Sequence, residues 1–451
     1  MNKKIALISE HASPLAVLGG IDSGGQNVYV TELAKELAKQ GYDIDIFTRK
    51  DEATLARVVP IFPGVRVIHV NAGPSRPIPK EKLLGYMDDF LSDMIAFMRK
   101  ERIIYRLIHA HFWMSALVGL QLKKWYNIPL VVTFHALGKV RRFHLGQQDN
   151  FPDERLEIEE EIARGADCII AECPQDQDDL VNLYGAHPSN IAIVPCGFSP
   201  TEFYPIPKED ARKHLKLPTN DRIILQLGRM VPRKGIDNVI KSLKYIKDMC
   251  VRLIVVGGEG DKNQFLASAE YKRLKHMAVQ YGGAAVIEFV GPKKREELKY
   301  YYNAADVFIS TPWYEPFGIT PLEAMACGTP VIGANVGGIK YSVLNGITGY
   351  LVEPKQPLQL AKAIERLFEG DAQQMGLNAI DRVNRIFTWR KVSITMSKVY
   401  EMFIPEANKQ LNSHEWIQTK PYADGRIKAL SSKRPDTVLP TQTFTKQHHA
   451  S

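Results

Sequence analysis

No stretch of this 451-residue chain reaches the ~18 consecutive apolar residues that a membrane-crossing helix requires. The amino terminus opens on Lys3 and Lys4, but the apolar run behind them is too short for a secretory signal. Cysteine is scarce and odd in number: Cys168, Cys173, Cys196, Cys250 and Cys327 match no metal-site spacing, and most lie in apolar runs. Reduced core thiols in a cytoplasmic protein are the expectation. The net charge of +8 raises the question of nucleic acid, anionic membranes or phosphorylated ligands. Zinc-finger spacing, RNP-like motifs and long basic blocks are all missing, which argues against nucleic acid. No solenoid-period repeat is present. Neither half carries a G-x-G-x-x-G turn with its later acidic residue, or a Walker loop, so a dinucleotide oxidoreductase is disfavoured.

What is present is alternation. Apolar strand-like runs at residues 5–9, 44–48, 65–70, 107–110, 130–134, 168–171 and 191–195 are separated by amphipathic helical patterns. A second series follows at 223–228, 253–257, 286–291, 307–310 and 330–333. In residues 26–39, Val30, Leu33, Ala34, Leu37 and Ala38 keep the spacing of one helix face. Such alternation predicts an α/β protein with parallel sheets covered on both faces. Proline and glycine cluster at residues 195–205, where no periodic pattern crosses. The expected organisation is two doubly wound Rossmann-like domains facing across a cleft. Residues 1–200 form the first and 201–390 the second, residues 391–405 a helix returning to the first, and 406–451 a polar, disordered tail. That tail, counted from Pro405, holds seven cations against four acids, so three of the eight net charges lie outside the expected fold.

In doubly wound sheets, ligands bind beyond the carboxyl ends of the strands. Four motifs fall there. Gly19, Gly20, Gly24 and Gly25 lie between the first strand and the first helix, where glycines let backbone N–H groups and the helix dipole approach a phosphate. A long loop needing tight turns explains them equally well. Between Gly228 and Gly235, Arg229 and Lys234 can clamp a diphosphate, against the alternative of a solvated basic loop. Glu315 and Glu323 stand eight residues apart across a glycine turn opening a helix. Gly318, Ile319 and Thr320 offer N–H groups there, and the carboxylates can accept from sugar hydroxyls. Glu323 has a complete structural reading as well: Thr320, Pro321 and Glu323 match a capping box with Thr320 at the N-cap. Finally, His135 ends a buried strand and points at the same cleft as the glycine loop.

His109 and His111 alternate on one strand face, but no third metal ligand is evident, so packing or acceptor contact is expected. Phe112, Trp113, Trp125, Tyr300, Tyr301, Tyr302, Trp313 and Tyr314 are expected in the core or on helix faces rather than as a base-stacking platform. The helix expected over residues 80–100 mixes Leu83, Leu84, Met87, Phe90 and Leu91 with charges. Weak peripheral contact with an anionic membrane and ordinary core packing explain them equally.

Together, and in this order, Asp22-Ser-Gly-Gly25, His135, Gly228-Arg-x4-Lys-Gly235 and Glu315-x7-Glu323 resemble the retaining glycosyltransferases of family four, which have the two-domain glycosyltransferase-B fold. The resemblance covers about residues 3–403. Residues 22–30, 109–113 and 133–137 look most like the branch holding sucrose-phosphate synthase and D-inositol-3-phosphate glycosyltransferase. It implies a hexose transferase using a nucleotide-diphosphate sugar of the UDP-glucose type, a hydroxyl acceptor such as a sugar or sugar phosphate, and neither cofactor nor metal. Gly24 and Gly25 would meet the donor phosphates, Arg229 and Lys234 the diphosphate, and Glu315 with the amides after Gly318 the sugar hydroxyls. Glu323 would take the ribose and His135 the region of the sugar 6-hydroxyl, with Gly197 in the nucleotide-side linker. His135, Arg229, Lys234 and Glu315 are the expected catalytic set.

The branch's enzymes for phosphorylated acceptors often carry a Tyr where Phe112 stands and a Ser or Thr where Ala136 stands, so two acceptor-side hydroxyls are missing here. Lys80, Lys82, Lys139, Arg141, Arg142 and Arg155 are cations placed to compensate, and Lys80, Lys82, His111, Lys139 and Arg155 are the expected acceptor contacts. Two rival readings are a nucleotide-sugar epimerase of the same fold and a non-catalytic nucleotide-sugar-binding protein. The base, sugar, acceptor and oligomeric state stay open.

Overall fold

Strand β1 (Lys3–Ile8) buries Ile5, Ala6, Leu7 and Ile8 completely, and its neighbours are similarly apolar. Such near-continuous hydrophobic runs suit strands covered on both faces. The computed structural model describes residues 3–16, 24–246, 250–258, 260–281 and 287–404. The expected disorder after residue 405 and the core of the first glycine loop, residues 17–23, lie outside the described residues.

After β1 come β2 (Tyr42–Arg49), β3 (Val58–Phe62), β4 (Val65–Val70), β5 (Ile108–His111), β6 (Leu130–Thr133), β7 (Cys168–Ala171) and β8 (Ile191–Ile193). They form one eight-stranded sheet in the order β3-β4-β2-β1-β5-β6-β7-β8. All pairs are parallel except β3 with β4. The second sheet contains β9 (Arg222–Leu227), β10 (Val251–Val256), β11 (Ile287–Gly291), β12 (Val307–Ser310), β13 (Val331–Ala334) and β14 (Gly349–Val352). Its order is β11-β10-β9-β12-β13-β14, parallel throughout.

Each sheet reverses its winding once, between β1 and β5 in the first and between β9 and β12 in the second. At such a switch point the loops leave in opposite directions and open a crevice. The loop after β9 holds Arg229 and Lys234, and the segment after β12 holds Glu315.

Strands β3 and β14 go beyond the expected elements. Pro60 interrupts β3, which is tolerable only because β3 is an edge strand. Pro63 and Gly64, with Gly64 at φ 77°, turn the chain into β4. Residues 80–100 do not form one helix: two 3-10 turns, Lys80–Lys82 and Leu84–Tyr86, precede the α-helix Met87–Glu101. Leu83, Met87, Phe90 and Leu91 are buried, so core packing accounts for the apolar face that raised the question of a membrane. The pattern after Gly235 is α-helical only over Ile236–Ser242 and continues as the 3-10 turn Leu243–Tyr245.

The helix Trp389–Phe403 lies against the first half. Gln40 donates to Ser393 Oγ at 2.8 Å, and the Tyr42 and Ser397 hydroxyls are 2.9 Å apart. Trp389, 1% exposed, meets Tyr29 edge to face at 5.4 Å. A methyl group at Gly197 would come within 2.7 Å of the Trp389 ring, so the linker packs flat on the indole. Replacing Trp389 with Ala is expected to cost about 3–5 kcal/mol, read as a lowered midpoint of urea unfolding.

Candidate active site

The loop after β9 is shaped by Gly235, at φ 70°, where a Cβ would sit 2.0 Å from the Thr311 carbonyl oxygen. Only glycine permits that approach, and it brings the 3-10 turn Pro232–Lys234 under the end of β12. Trp313 N–H then donates to Arg233 O at 2.8 Å, joining the two loops. Lys234 Nζ pairs with Glu315 Oε2, and Arg233 Nη1 approaches the same oxygen at 3.5 Å. Arg233 also lies over the Tyr314 ring at 5.2 Å. Burial alone would raise the Glu315 carboxyl, but Lys234 and Arg233 outweigh it and hold it below the usual carboxylate range. Burial lowers the Lys234 ammonium despite Glu315. Gly337 N-caps nothing here but lies so close that a Cβ would be 1.8 Å from the Glu315 carbonyl oxygen, which clamps the backbone of the turn from behind. Arg229 sits partly buried where the loop leaves β9.

The helix after Glu315 runs Ile319–Ala326, with Gly318 as N-cap at φ 92° and no side-chain cap. This corrects the capping-box reading. The helix starts before Thr320, so Thr320 lies in its first turn and Glu323 is too far along to reach the N-cap. Glu323 instead accepts from Arg295 Nη1 at 3.0 Å and from the Tyr302 hydroxyl at 2.8 Å, and is 2% exposed. The first-turn amides at Ile319 and Thr320 carry the positive end of the helix. Opposite them, the helix Gly25–Ala38 starts with Gly24 as N-cap. A Cβ at Gly25 would be 3.7 Å from Ile319 Cδ1, so two helix N-termini, one from each half, meet across the gap.

At the carboxyl ends of the first sheet's strands, His135 follows β6 in the left-handed region, φ 57°. Its Nε2 lies 3.0 Å from His111 Nδ1 and its Nδ1 3.1 Å from Glu172 Oε1. The Cys196 thiol donates to the same Glu172 oxygen at 3.2 Å. His109, on the other side, meets the Tyr400 hydroxyl at 2.6 Å and the Thr133 hydroxyl at 2.8 Å. Burial lowers His109 and His111 well below the ordinary imidazole range, so both are neutral at pH 7. Tyr29 packs its edge on His135 at 4.8 Å. Among the described residues no group of three or more metal-ligating side chains converges. Glu172 and Cys196 were missed in the sequence, although each stands just past the carboxyl end of a strand, the position that marked the other motifs.

Lys139, Arg141, Arg142 and Arg155 are all engaged in ion pairs within the protein. Arg155 corrects the expectation of an acceptor contact: it is 1% exposed, pairs with Glu159 at 2.7 Å, donates to Ala136 O at 2.6 Å and stacks on Phe151 at 4.5 Å. Its charge is spent inside the protein. Lys139 Nζ reaches Glu160 at 2.6 Å and the Leu183 carbonyl. Arg141 and Arg142 both face Asp149. Lys82 is exposed and Lys80 partly buried, both in the first 3-10 turn. His111 is fully buried, touching His135 rather than an open surface.

Two facing Rossmann-like halves with glycine-started helices at their switch points define the glycosyltransferase-B architecture. Residues 23–202 match the family "Glycosyltransferase Family 4" and residues 207–382 match "Glycosyl transferases group 1". D-inositol 3-phosphate glycosyltransferase of Corynebacterium diphtheriae is 34% identical over 89% of this chain and 95% of its own length. The enzyme of the same name from Streptosporangium roseum is 36% identical over 88% and 92%. Among solved structures, sucrose-phosphate synthase from Thermosynechococcus elongatus aligns with a TM-score of 0.82 at 36% identity, covering 89% of this chain and 99% of that one. HepE from Anabaena, solved with UDP, shares the fold at a TM-score of 0.71 and 21% identity, covering 88% and 100%. The chain belongs to glycosyltransferase family 4, in the branch of these relatives, and is a glycosyltransferase. Among the described residues no helix is long and apolar enough to cross a membrane.

Asp176 lies beside Glu172, whose backbone N–H it accepts at 3.0 Å. Desolvation, with Glu172 and Asp179 adding to it, pushes its carboxyl up to about 8. An unfolded Asp titrates at about 3.9, so the folded protein holds this proton more tightly. Its contribution to stability is therefore full below that value and is lost as pH rises towards 8. Asp176→Asn is expected to gain thermal stability relative to the wild type progressively over that interval, measured as the difference in Tm against pH.

Proposed function

We propose that this glycosyltransferase moves a hexose from a nucleotide-diphosphate sugar to a hydroxyl acceptor with retention of anomeric configuration and without a divalent metal. The observation that carries the reading is the Lys234–Glu315 pair, set on adjoining switch-point loops beside two facing helix N-termini. Cations and amides suit a pyrophosphate, and a carboxylate next to them suits the hydroxyls of the attached sugar. The pair holds both side chains in place. A bound donor replaces Glu315 with phosphate oxygens as partners of Lys234 and leaves Glu315 to accept from sugar hydroxyls.

In the step so envisaged, the bond from the anomeric carbon to the diphosphate breaks and the acceptor oxygen bonds to that carbon on the same face. The acceptor proton passes to the departing phosphate oxygen. Negative charge gathers on the diphosphate, where Arg229, Lys234 and the amides after Gly24 and Gly318 offset it. That charge complement is the reason a metal is not required. HepE has been solved with UDP and with UDP-glucose, which favours a uridine diphosphate sugar as first candidate. The relatives' names point to an inositol phosphate or a sugar phosphate as acceptor. The interior position of Arg155 and the absence of hydroxyls at Phe112 and Ala136 favour testing unphosphorylated sugars alongside them.

Calorimetry against UDP-, ADP- and GDP-sugars is expected to give saturable binding for one of them, unchanged by EDTA. Product made from the bound donor should keep its anomeric configuration by NMR. Lys234→Ala and Glu315→Gln are each expected to lower kcat by roughly 10²–10³-fold. Inversion, loss of activity in EDTA or an absence of donor binding refutes the reading.

A further inference from the structure

Four successive strands of the first sheet each send one polar side chain from the carboxyl edge into a single row. His111 closes β5, His135 stands two residues past β6, Glu172 follows β7 and Cys196 lies three residues past β8. The parallel register sets these positions side by side, with His111 opposite Thr133 and Ala171 opposite Ile193. The row is linked throughout: His111 Nδ1 to His135 Nε2 at 3.0 Å, His135 Nδ1 to Glu172 Oε1 at 3.1 Å, and Cys196 Sγ to that oxygen at 3.2 Å.

We propose that Glu172 is a positioning residue for glycosyl transfer, accepting the Nδ1 proton of His135 and so fixing the plane and tautomer of that imidazole at the cleft. The proposal rests on the reading that His135 borders the transferred sugar. Three observations carry it. His135 is held at φ 57°, in the left-handed region that a non-glycine residue keeps only where its surroundings hold it there. Both its ring nitrogens are occupied, so the ring cannot turn without breaking the row. And Glu172 is 3% exposed, where an uncompensated carboxylate is costly, which makes His135 its counterpart as much as the reverse. With Nδ1–H given to Glu172, Nε2 is the acceptor for neutral His111, and His135 presents one defined edge and its backbone to the cleft.

Selective 15N-histidine labelling of the full chain tests the contact directly. The wild type should show a protonated His135 Nδ1, assigned by its loss in His135→Gln, and that resonance should move in Glu172→Ala. Steady-state kinetics test the role: Glu172→Gln and Glu172→Ala should lower kcat by roughly 10- to 100-fold, the span that follows loss of the hydrogen-bond partner of a metal-bound imidazole. Donor Kd should stay within about threefold, and Glu172→Asp should recover part of kcat. An unprotonated Nδ1 on His135 in the wild type overturns the proposal. So does a kcat within twofold of wild type in both Gln and Ala variants, or a loss that tracks only a fall in Tm. A wild type that binds no nucleotide-sugar refutes the transferase reading instead, and the labelling experiment still decides whether Glu172 holds the ring.

Discussion

Lys234 and Glu315 come from loops that follow different strands, and each is poorly solvated where it sits. Their pairing outweighs the desolvation of Glu315, offsets part of that of Lys234, and joins the two loops at the switch point of the second sheet. The rest of the site is arranged around that junction. Gly235 lets one loop pass beneath Thr311, and Gly337 presses on the backbone behind Glu315. The helix Ile319–Ala326 then starts with its amides turned towards the other half.

The first half contributes a different kind of order. Its carboxyl edge carries imidazoles, a thiol and a buried carboxylate in mutual contact. The cations that composition suggested for an acceptor are largely engaged elsewhere, Arg155 with Glu159 and Lys139 with Glu160. The C-terminal helix belongs to the same construction, since Tyr400 reaches His109 and Trp389 backs Tyr29.

Much of this was legible in the sequence because its signals are local. Buried parallel strands are continuous apolar runs, and the two sheets appeared as two series of them. The site motifs were found because strand ends are where doubly wound folds place ligands. Where expectation and structure part, a short-range rule met a competing tertiary contact. The Thr320-to-Glu323 spacing fits a capping box, but Gly318 starts the helix earlier and Arg295 with Tyr302 engages Glu323. Pro60 concealed β3, whose edge position makes a proline harmless.

Periodicity and glycine placement by themselves determined the class of fold, the division into two sheets and the loops that face the cleft, because helix and strand patterns repeat over a few residues. Only the tertiary structure decided where each charge sits. Arg155 and Arg229 look alike in a sequence, yet one is enclosed by Glu159 and aromatic rings while the other is partly buried in the loop at the end of β9. Partnership between residues far apart in the chain is set by strand order and register, which bring Glu172 to His135 and leave no trace in local spacing.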